Sequence, residues 1–207
     1  MTTSMVEKAV ERLQRAVRPL DDPPVAPGWN LAELSDVLDP DIPRRAAAVL
    51  VPFVRRGDAL SVLFTQRTAH LRTHAGQISF PGGAIEDGDA NAVDAALRET
   101  FEETGIEPER VGPFGYLDGF ETVSGYFVSP VTAFVRGDYA AKPDPHEVAD
   151  VFEVPLDFIL APDHLRRIQF DWHGRTRTTH EIVWENRRVW GATASILKNL
   201  LQRLESA

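Results

Sequence analysis

A glycine pair followed by an acidic helix is the feature of this sequence that most restricts its fold. Gly82 and Gly83 follow a strand-like run, residues 77–81, so the backbone can pass close to a ligand at this turn. From about Asp89 to Gly105, one set of residues recurs at the i, i+3, i+4 spacing of a buried helix face. These residues are Val93, Ala96, Leu97, Thr100 and Thr104. The sequence therefore predicts a tight turn leading into an amphipathic helix, with Asp89 as N-cap and Gly105 in the left-handed C′ position.

The neighbouring face of this helix carries three carboxylates. At roughly 100° per residue, Glu99, Glu102 and Glu103 share that face. At an effective dielectric constant near 20, each like-charged pair would repel by roughly 3 kcal/mol. Glu102 and Glu103 also lie in the last turn, where the helix dipole disfavours anions by about 0.3–1 kcal/mol each. A divalent metal ion with oxygen ligands, Mg²⁺ or Mn²⁺, would relieve both penalties, and a solvated acidic surface is the alternative interpretation.

The segment that starts at Gly83 resembles a Nudix box, the loop, helix and loop of hydrolases that cleave a nucleoside diphosphate linked to another group. The family pattern is glycine, five residues, glutamate, seven residues, and then Arg-Glu-apolar-x-Glu-Glu-x-Gly-apolar. The matching residues are Gly83, Arg98, Glu99, Glu102, Glu103, Gly105 and Ile106. Asp89 replaces the first glutamate, eight residues rather than seven separate it from Arg98, and Thr100 is a weak apolar match. The same aspartate and longer spacer are familiar from one branch of the family, the coenzyme A diphosphatases.

A motif upstream of the box is similar to one carried by the same branch. That motif reads Leu, Leu or Met, Thr, x, Arg, Ser or Ala, three residues, Arg, three residues, Gly, three residues, and Phe-Pro-Gly-Gly. The residues in register are Arg67, Arg72, Gly76 and the block 80–83, and the conservative departures are Phe64 and Thr68. Together the two motifs cover residues 63–106. The resemblance therefore favours coenzyme A as the substrate.

The resemblance also implies roles for the upstream residues. Guanidinium groups pair well with phosphate oxygens, so we expect Arg67 and Arg72 to bind substrate, and the 3′-phosphate of coenzyme A is their hypothesised target. Pairing with surplus acids is the competing role for both arginines. Gly82 and Gly83 would let the backbone approach the substrate.

For the box itself, the resemblance implies a metal site. Glu99 and Glu103 would be the first ligands of Mg²⁺ or Mn²⁺, with Glu102 bridging or holding a second ion. Arg98 would fix these carboxylates through hydrogen bonds. The general base varies in this family between a box glutamate and an acid on a distant loop. We expect the base to be Glu147, for which a solvated surface acid is the alternative interpretation.

Composition excludes several other functions. The net charge is −9 and no run of Lys or Arg forms a stripe, so we expect neither a nucleic acid nor an anionic membrane as partner. The absence of cysteine excludes disulfides, thiolate catalysis and Cys-ligated zinc. The first residues lack the apolar segment of a signal peptide, and no 18-residue apolar stretch exists, so a cytoplasmic location is expected.

The expected activity is metal-dependent hydrolysis of coenzyme A, or of an acyl-CoA, to 4′-phosphopantetheine and adenosine 3′,5′-bisphosphate. The nearest alternative is a Nudix pyrophosphatase for ADP-ribose, NADH or dinucleoside polyphosphates. A Nudix module that binds a nucleotide without cleaving it is a more distant alternative, because such a module would have a broken set of glutamates.

The order of elements predicts an α/β fold. Strands and helices intermix without regular βαβ alternation, so we expect a mixed central sheet between helix layers, and the resemblance implies the Nudix α/β/α sandwich. Strands are predicted at residues 45–53, 59–67, 112–120, 126–135, 148–154, 165–172 and 177–184, and helices at 5–17, 30–38, 155–160 and 191–204. Residues 1–29, a helix and a proline-rich linker, would form an accessory arm or a homodimer element. Residues 30–207 would form the hydrolase domain.

Overall fold

The computed structural model describes residues 5–39, 41–71, 73–172 and 174–207. The helices are α1 (Met5–Ala16), α2 (Leu31–Leu34), α3 (Ala92–Thr104), α4 (Leu156–Leu160) and α5 (Ala192–Ser206), and a 3₁₀ turn spans Pro108–Arg110. The strands are β1 (Arg45–Arg56), β2 (Ala59–Arg67), β3 (Ile78–Ser79), β4 (Gly82–Ala84), β5 (Val111–Tyr116), β6 (Phe120–Glu121), β7 (Tyr126–Val135), β8 (Val148–Pro155), β9 (Arg166–Trp172), β10 (Arg175–Trp184) and β11 (Arg187–Trp190). None of the helices in these ranges has the length and hydrophobicity of a membrane-spanning segment.

The main sheet is mixed, as predicted. In the described chain it contains eight strands, and its central path runs β3, β2, β1, β7, β5. β7 is parallel to β1, whereas β2 and β4 pair with β1 in the antiparallel sense. β6 pairs with β7, and β8 pairs with β2. The predicted hairpin of β9 and β10 is present, and β11, which the sequence analysis missed, extends it to a separate small sheet.

Each face of the main sheet has an apolar core. Because side chains alternate along a strand, Leu63 packs on the face that carries α3, whereas Phe64 packs on the opposite face with α1 and α5. Helices therefore cover both faces, which confirms the α/β/α arrangement and places α3 directly against β1 and β4.

The N-terminal helix packs against the C-terminal one. Val6 and Leu13 of α1 are buried in the same core as Leu197 and Leu200 of α5. The Arg12 guanidinium donates hydrogen bonds to the carbonyl oxygen at the end of α5. The division at residue 30, and a role of α1 in a homodimer, stay predictions.

Pro130 has no N–H to donate, so an edge strand or a bulge is expected at this residue, but its strand is not at a sheet edge. Pro130 lies inside β7, opposite Val49 of β1. On its other side the partner of β7 changes, because Val128 pairs with β6 and Val131 pairs with β5. A proline is tolerated there because it sits at the break between two ladders.

The predicted helix at residues 30–38 is shorter than expected, since it ends at Leu34, and Asn30 makes its side-chain contacts outside the helix. Its side chain donates to the backbone oxygen of Glu121 and accepts from the backbone nitrogen of Glu121, both at 2.8 Å, so it does not cap the helix. The Glu121 carboxylate is also buried, at 3% exposure. It accepts from Gly28 N at 3.1 Å and from Arg44 Nε at 3.0 Å. These hydrogen bonds with Glu121 hold the segment before β1 against β6.

We expect Glu121→Gln to lower the free energy of unfolding by about 3 kcal/mol, because it leaves the Arg44 guanidinium buried without its counter-charge. Urea unfolding at pH 7 would measure the change. Asp22→Asn is the matched control, since the pair of Arg18 with Asp22 is partly exposed and should contribute less than about 1 kcal/mol. An equally small change for Glu121→Gln would show that the ion pair of Arg44 with Glu121 does not stabilise the segment before β1.

Candidate active site

The turn before α3 is built on Asp89. Its Oδ2 accepts from Glu86 N at 2.8 Å, and its two carboxylate oxygens accept from Arg98 Nε and Nη2, both at 2.9 Å. Hydrogen bonds from Arg98 and from the Glu86 backbone hold the pKa of Asp89 below its usual range. Asp89 is therefore not the N-cap that the sequence predicted. The cap is Asn91, whose side chain accepts from two backbone N–H groups of the first turn, so α3 begins at Ala92.

The end of α3 agrees with the prediction, but its buried face is rotated. Gly105 has φ 68°, the left-handed conformation expected at C′. Val93 and Leu97 are only partly buried, whereas Ala92 and Ala95 are buried. The buried face consists of Ala92, Ala95, Ala96, Thr100, Glu103 and Thr104. The rotation turns one of the three acids into the protein interior.

Glu103 is the buried acid, with 5% of its surface exposed. Its nearest cation is Arg67, whose Nη1 lies 3.8 Å from Glu103 Oε1, too far for a hydrogen bond. In the described part of the chain, Glu103 Oε2 has no hydrogen-bond partner, and neither does the buried Arg67 Nε. Burial raises the pKa of Glu103 to about 8; the Arg67 charge opposes this increase, and the charges of Glu99 and Glu147 add to it.

Arg98 lies between the turn and the other two acids. Its Nη1 donates to Glu99 Oε1 at 2.9 Å and to Glu102 Oε2 at 3.0 Å, while its Nη2 also donates to the Ala84 backbone oxygen at 3.1 Å. Partial burial raises the pKa of Glu99, and Arg98 opposes this shift. Glu102 is the most exposed of the three acids, with 56% of its side chain accessible. Arg98 thus connects the turn at Asp89 to two of the carboxylates.

The glycine pair makes room for these contacts. A Cβ atom on Gly83 would lie 2.4 Å from Glu99 Oε1. A Cβ atom on Gly82, which has φ 153°, would lie 2.4 Å from the Ala48 backbone oxygen of β1. Gly82 therefore requires glycine, because its positive φ and the β1 backbone exclude a side chain, whereas a side chain at Gly83 would displace the Glu99 carboxylate.

Of the other predicted site residues, Glu147 and Arg67 lie near the acids of α3. Glu147 lies in an exposed turn before β8, near enough that its negative charge raises the pKa of both Glu99 and Glu103. Arg67 lies at the end of β2, beside Glu103. Arg72 lies outside the described residues.

The donor set fits a hard divalent cation. Glu99, Glu102 and Glu103 offer carboxylate oxygens, the ligands that Mg²⁺ and Mn²⁺ prefer. Among the described residues, Glu103 Oε2 has no hydrogen-bond partner that would compete with such an ion. No group of three acidic or histidine side chains among residues 5–39, 41–71, 73–172 and 174–207 already converges on one metal position. The contacts of Arg98 explain why, since its Nη1 holds Glu99 and Glu102 itself.

Known proteins resemble this chain in sequence and in fold. A family model described as NUDIX domain matches residues 43–181. The Escherichia coli K12 protein named "Uncharacterized Nudix hydrolase NudL" is 42% identical over 156 residues, which cover 75% of this chain and 81% of that protein. A Shigella boydii protein of the same name is 41% identical over the same shares. The crystal structure of a MutT/nudix family protein from Enterococcus faecalis has a TM-score of 0.52 and 18% identity, and covers 100% of this chain and 76% of that chain. This last likeness shows the fold.

Proposed function

The chain belongs to the Nudix hydrolase family, and we propose that it hydrolyses coenzyme A or an acyl-CoA to 4′-phosphopantetheine and adenosine 3′,5′-bisphosphate. Nudix hydrolases cleave pyrophosphate linkages in small nucleotide substrates and generally use divalent metal ions. The finer assignment to coenzyme A is supported by the upstream motif at residues 63–83, and by Asp89 with its longer spacer to Arg98.

The observation that carries the reaction type is the unsatisfied pair of Glu103 and Arg67. Buried polar atoms are normally hydrogen-bonded, yet among the described residues Glu103 Oε2 has no donor and Arg67 Nε has no acceptor. The two groups are also too far apart to satisfy each other. A diphosphate with its metal ion would give the Glu103 carboxylate a cation and the Arg67 guanidinium a phosphate oxygen.

In the proposed reaction, water attacks one phosphorus atom in line, and the bond from that phosphorus to the bridging oxygen breaks. Glu99, Glu103 and Glu102 would hold Mg²⁺ or Mn²⁺, which when bound neutralises phosphate charge and lowers the pKa of water. Glu147 would accept the proton of the attacking water. Arg98, held by Asp89, would keep the carboxylates in place.

Arg67 would contact the phosphate groups in this reaction. Its closeness to Glu103 favours contact with the diphosphate, and contact with the 3′-phosphate of coenzyme A stays a hypothesis. Gly82 and Gly83 would let the backbone of β4 lie close to the substrate.

A substrate panel tests the proposal. The protein is incubated with coenzyme A, acetyl-CoA, dephospho-CoA, ADP-ribose, NADH and dinucleoside polyphosphates, with Mg²⁺ or Mn²⁺ and with a chelator, and the products are identified by mass spectrometry. We expect coenzyme A or an acyl-CoA to have the highest kcat/KM and to release 4′-phosphopantetheine only when metal is present. A preference for ADP-ribose or NADH would overturn the coenzyme A assignment alone, and cleavage that is unaffected by the chelator would overturn the metal-dependent mechanism.

A further inference from the structure

Residues 144–147 form a compact turn that carries the proposed base. The Asp144 backbone oxygen accepts from Glu147 N at 3.0 Å and from Val148 N at 2.8 Å. The Asp144 side chain accepts from His146 N at 2.9 Å, which closes the turn from within. The backbone of Glu147 is therefore fixed even though its side chain is exposed.

One side of this turn is attached to the end of α3. The last four carbonyl groups of a helix lack intrahelical donors. Two of these carbonyls are satisfied by the segment before Glu147, because Lys142 N donates to Thr104 O at 2.8 Å and Asp144 N donates to Glu103 O at 3.2 Å. The same residue, Glu103, thus offers its buried carboxylate to the site and its backbone oxygen to the turn.

The other side is attached to the end of β2 through Thr68, which is 6% exposed. Thr68 N donates to Glu147 O at 2.9 Å, and Thr68 Oγ1 donates to His146 O at 3.2 Å. His70 Nε2 lies 3.2 Å from the same His146 oxygen, a hydrogen bond in the tautomer protonated at Nε2. A serine or alanine stands at the position of Thr68 in the upstream motif, so the hydroxyl is not fixed by that pattern.

The pairing of β2 with β8 contains a bulge beside these contacts. Gln66 pairs with Asp150, whereas Arg67 pairs with Val148, so β8 has one extra residue at this point. Such bulges change the direction of side chains and occur beside active sites. Consecutive residues therefore contact different acidic residues: Arg67 lies beside the Glu103 carboxylate, and Thr68 donates to the backbone oxygens of His146 and Glu147.

We propose that Thr68 is a positioning residue, whose hydroxyl fixes the turn that carries Glu147 and so sets the position of the base relative to Glu103. The inference rests on the proposed role of Glu147, but not on coenzyme A as the substrate. The measurements below therefore use whichever substrate of the panel has the highest kcat/KM.

The first test compares Thr68→Val with Thr68→Ser. Valine has nearly the same volume as threonine but no hydroxyl, and serine keeps the hydroxyl. We expect Thr68→Val to lower kcat about 10-fold with KM changed less than about 2-fold, since small misplacements of a catalytic group cost rate rather than binding. Thr68→Ser should keep kcat within about 2-fold of the original protein. Equal losses in both variants would show that packing, not the hydroxyl, is responsible.

A double-mutant cycle with Glu147→Gln tests whether Thr68 acts through the base. Glu147→Gln alone should lower kcat about 100-fold, the usual contribution of a general base. In that background Thr68→Val should have less than about a 2-fold effect. A full 10-fold loss in both backgrounds would overturn the proposal. Full activity of Glu147→Gln would overturn both the base assignment and this inference, while product analysis would still establish the hydrolase reaction.

If Thr68→Val does not fold, His70→Ala takes its place in the cycle. The His70 ring is exposed and contacts the same His146 oxygen, so its removal should leave the fold intact. We expect about a 3-fold loss of kcat in the original protein and none in Glu147→Gln. A loss of the same size in both would contradict a role of this contact in positioning Glu147.

Discussion

We expect Glu103→Gln to lower kcat/KM by about 10³-fold while the protein stays folded. Glutamine has the shape of glutamate but no negative charge, so it removes an anionic ligand from the proposed metal site without leaving a cavity. Losses of this order follow when one preorganised electrostatic group is removed from the stabilisation of a transition state. Steady-state hydrolysis of the preferred substrate with Mg²⁺ and Mn²⁺ would measure the effect.

Asp94→Asn is the control for this experiment, because it removes a carboxylate from the exposed first turn of the same helix. It should keep activity within about 2-fold. Titration of each variant with Mn²⁺ alone gives a second readout, in which Glu103→Gln should bind the ion at least about 10-fold more weakly than Asp94→Asn. If Glu103→Gln retained more than a tenth of the original activity, Glu103 would not be an essential ligand.

Local sequence patterns predicted the strands, turns and helix ends that depend mainly on neighbouring residues. β1 and β2 follow from two β-rich runs on either side of a Gly-Asp turn, and the left-handed Gly105 follows from the conformational freedom of glycine. The spacing of three glutamates on one helix was enough to place an acidic face beside Gly83, and the structure puts Glu99 against that glycine.

The burial of Glu103 could not be read from the helix periodicity. The small side chains of Ala92 and Ala95 allow α3 to pack closely on the sheet, and this turns the helix so that Val93 and Leu97 are less buried than their hydrophobicity suggested. Tertiary packing therefore decided which acid became buried. No local signal in the sequence reports that choice.

Local sequence patterns also did not predict the contacts between distant segments. Asp144 N reaches the Glu103 backbone oxygen across about 40 residues, and Thr68 reaches His146 across 78. Such contacts depend on the register between β2 and β8, which includes a bulge that no residue type marks in advance. The sequence thus identified Glu147 as a candidate but not the residues that hold it.

The buried Glu103 makes the stability of the metal-free protein depend on pH. Burial raises the pKa of this carboxyl from an ordinary value of 4.5 to about 8 in the folded state. Between these values the folded protein keeps the proton that the unfolded chain has lost. Stability therefore falls as pH rises wherever the folded state binds more protons. The contribution of Glu103 is fully present below the unfolded pKa and is lost as pH rises to the folded pKa.

We accordingly expect the free energy of unfolding of the metal-free protein to fall between pH 5 and 8 by roughly 3–5 kcal/mol relative to Glu103→Gln, which lacks the titrating group. Urea unfolding in the presence of a chelator, at several pH values, would measure both proteins, and groups common to both, such as His180, cancel in the difference. Mg²⁺ or Mn²⁺ in place of the chelator should reverse the trend for the original protein, because the cation binds the deprotonated carboxylate and stabilises the folded state. Parallel curves for the two proteins without metal would show that Glu103 is ionised in the folded state throughout this range, and that Arg67 and other groups of the protein compensate its charge without a metal ion.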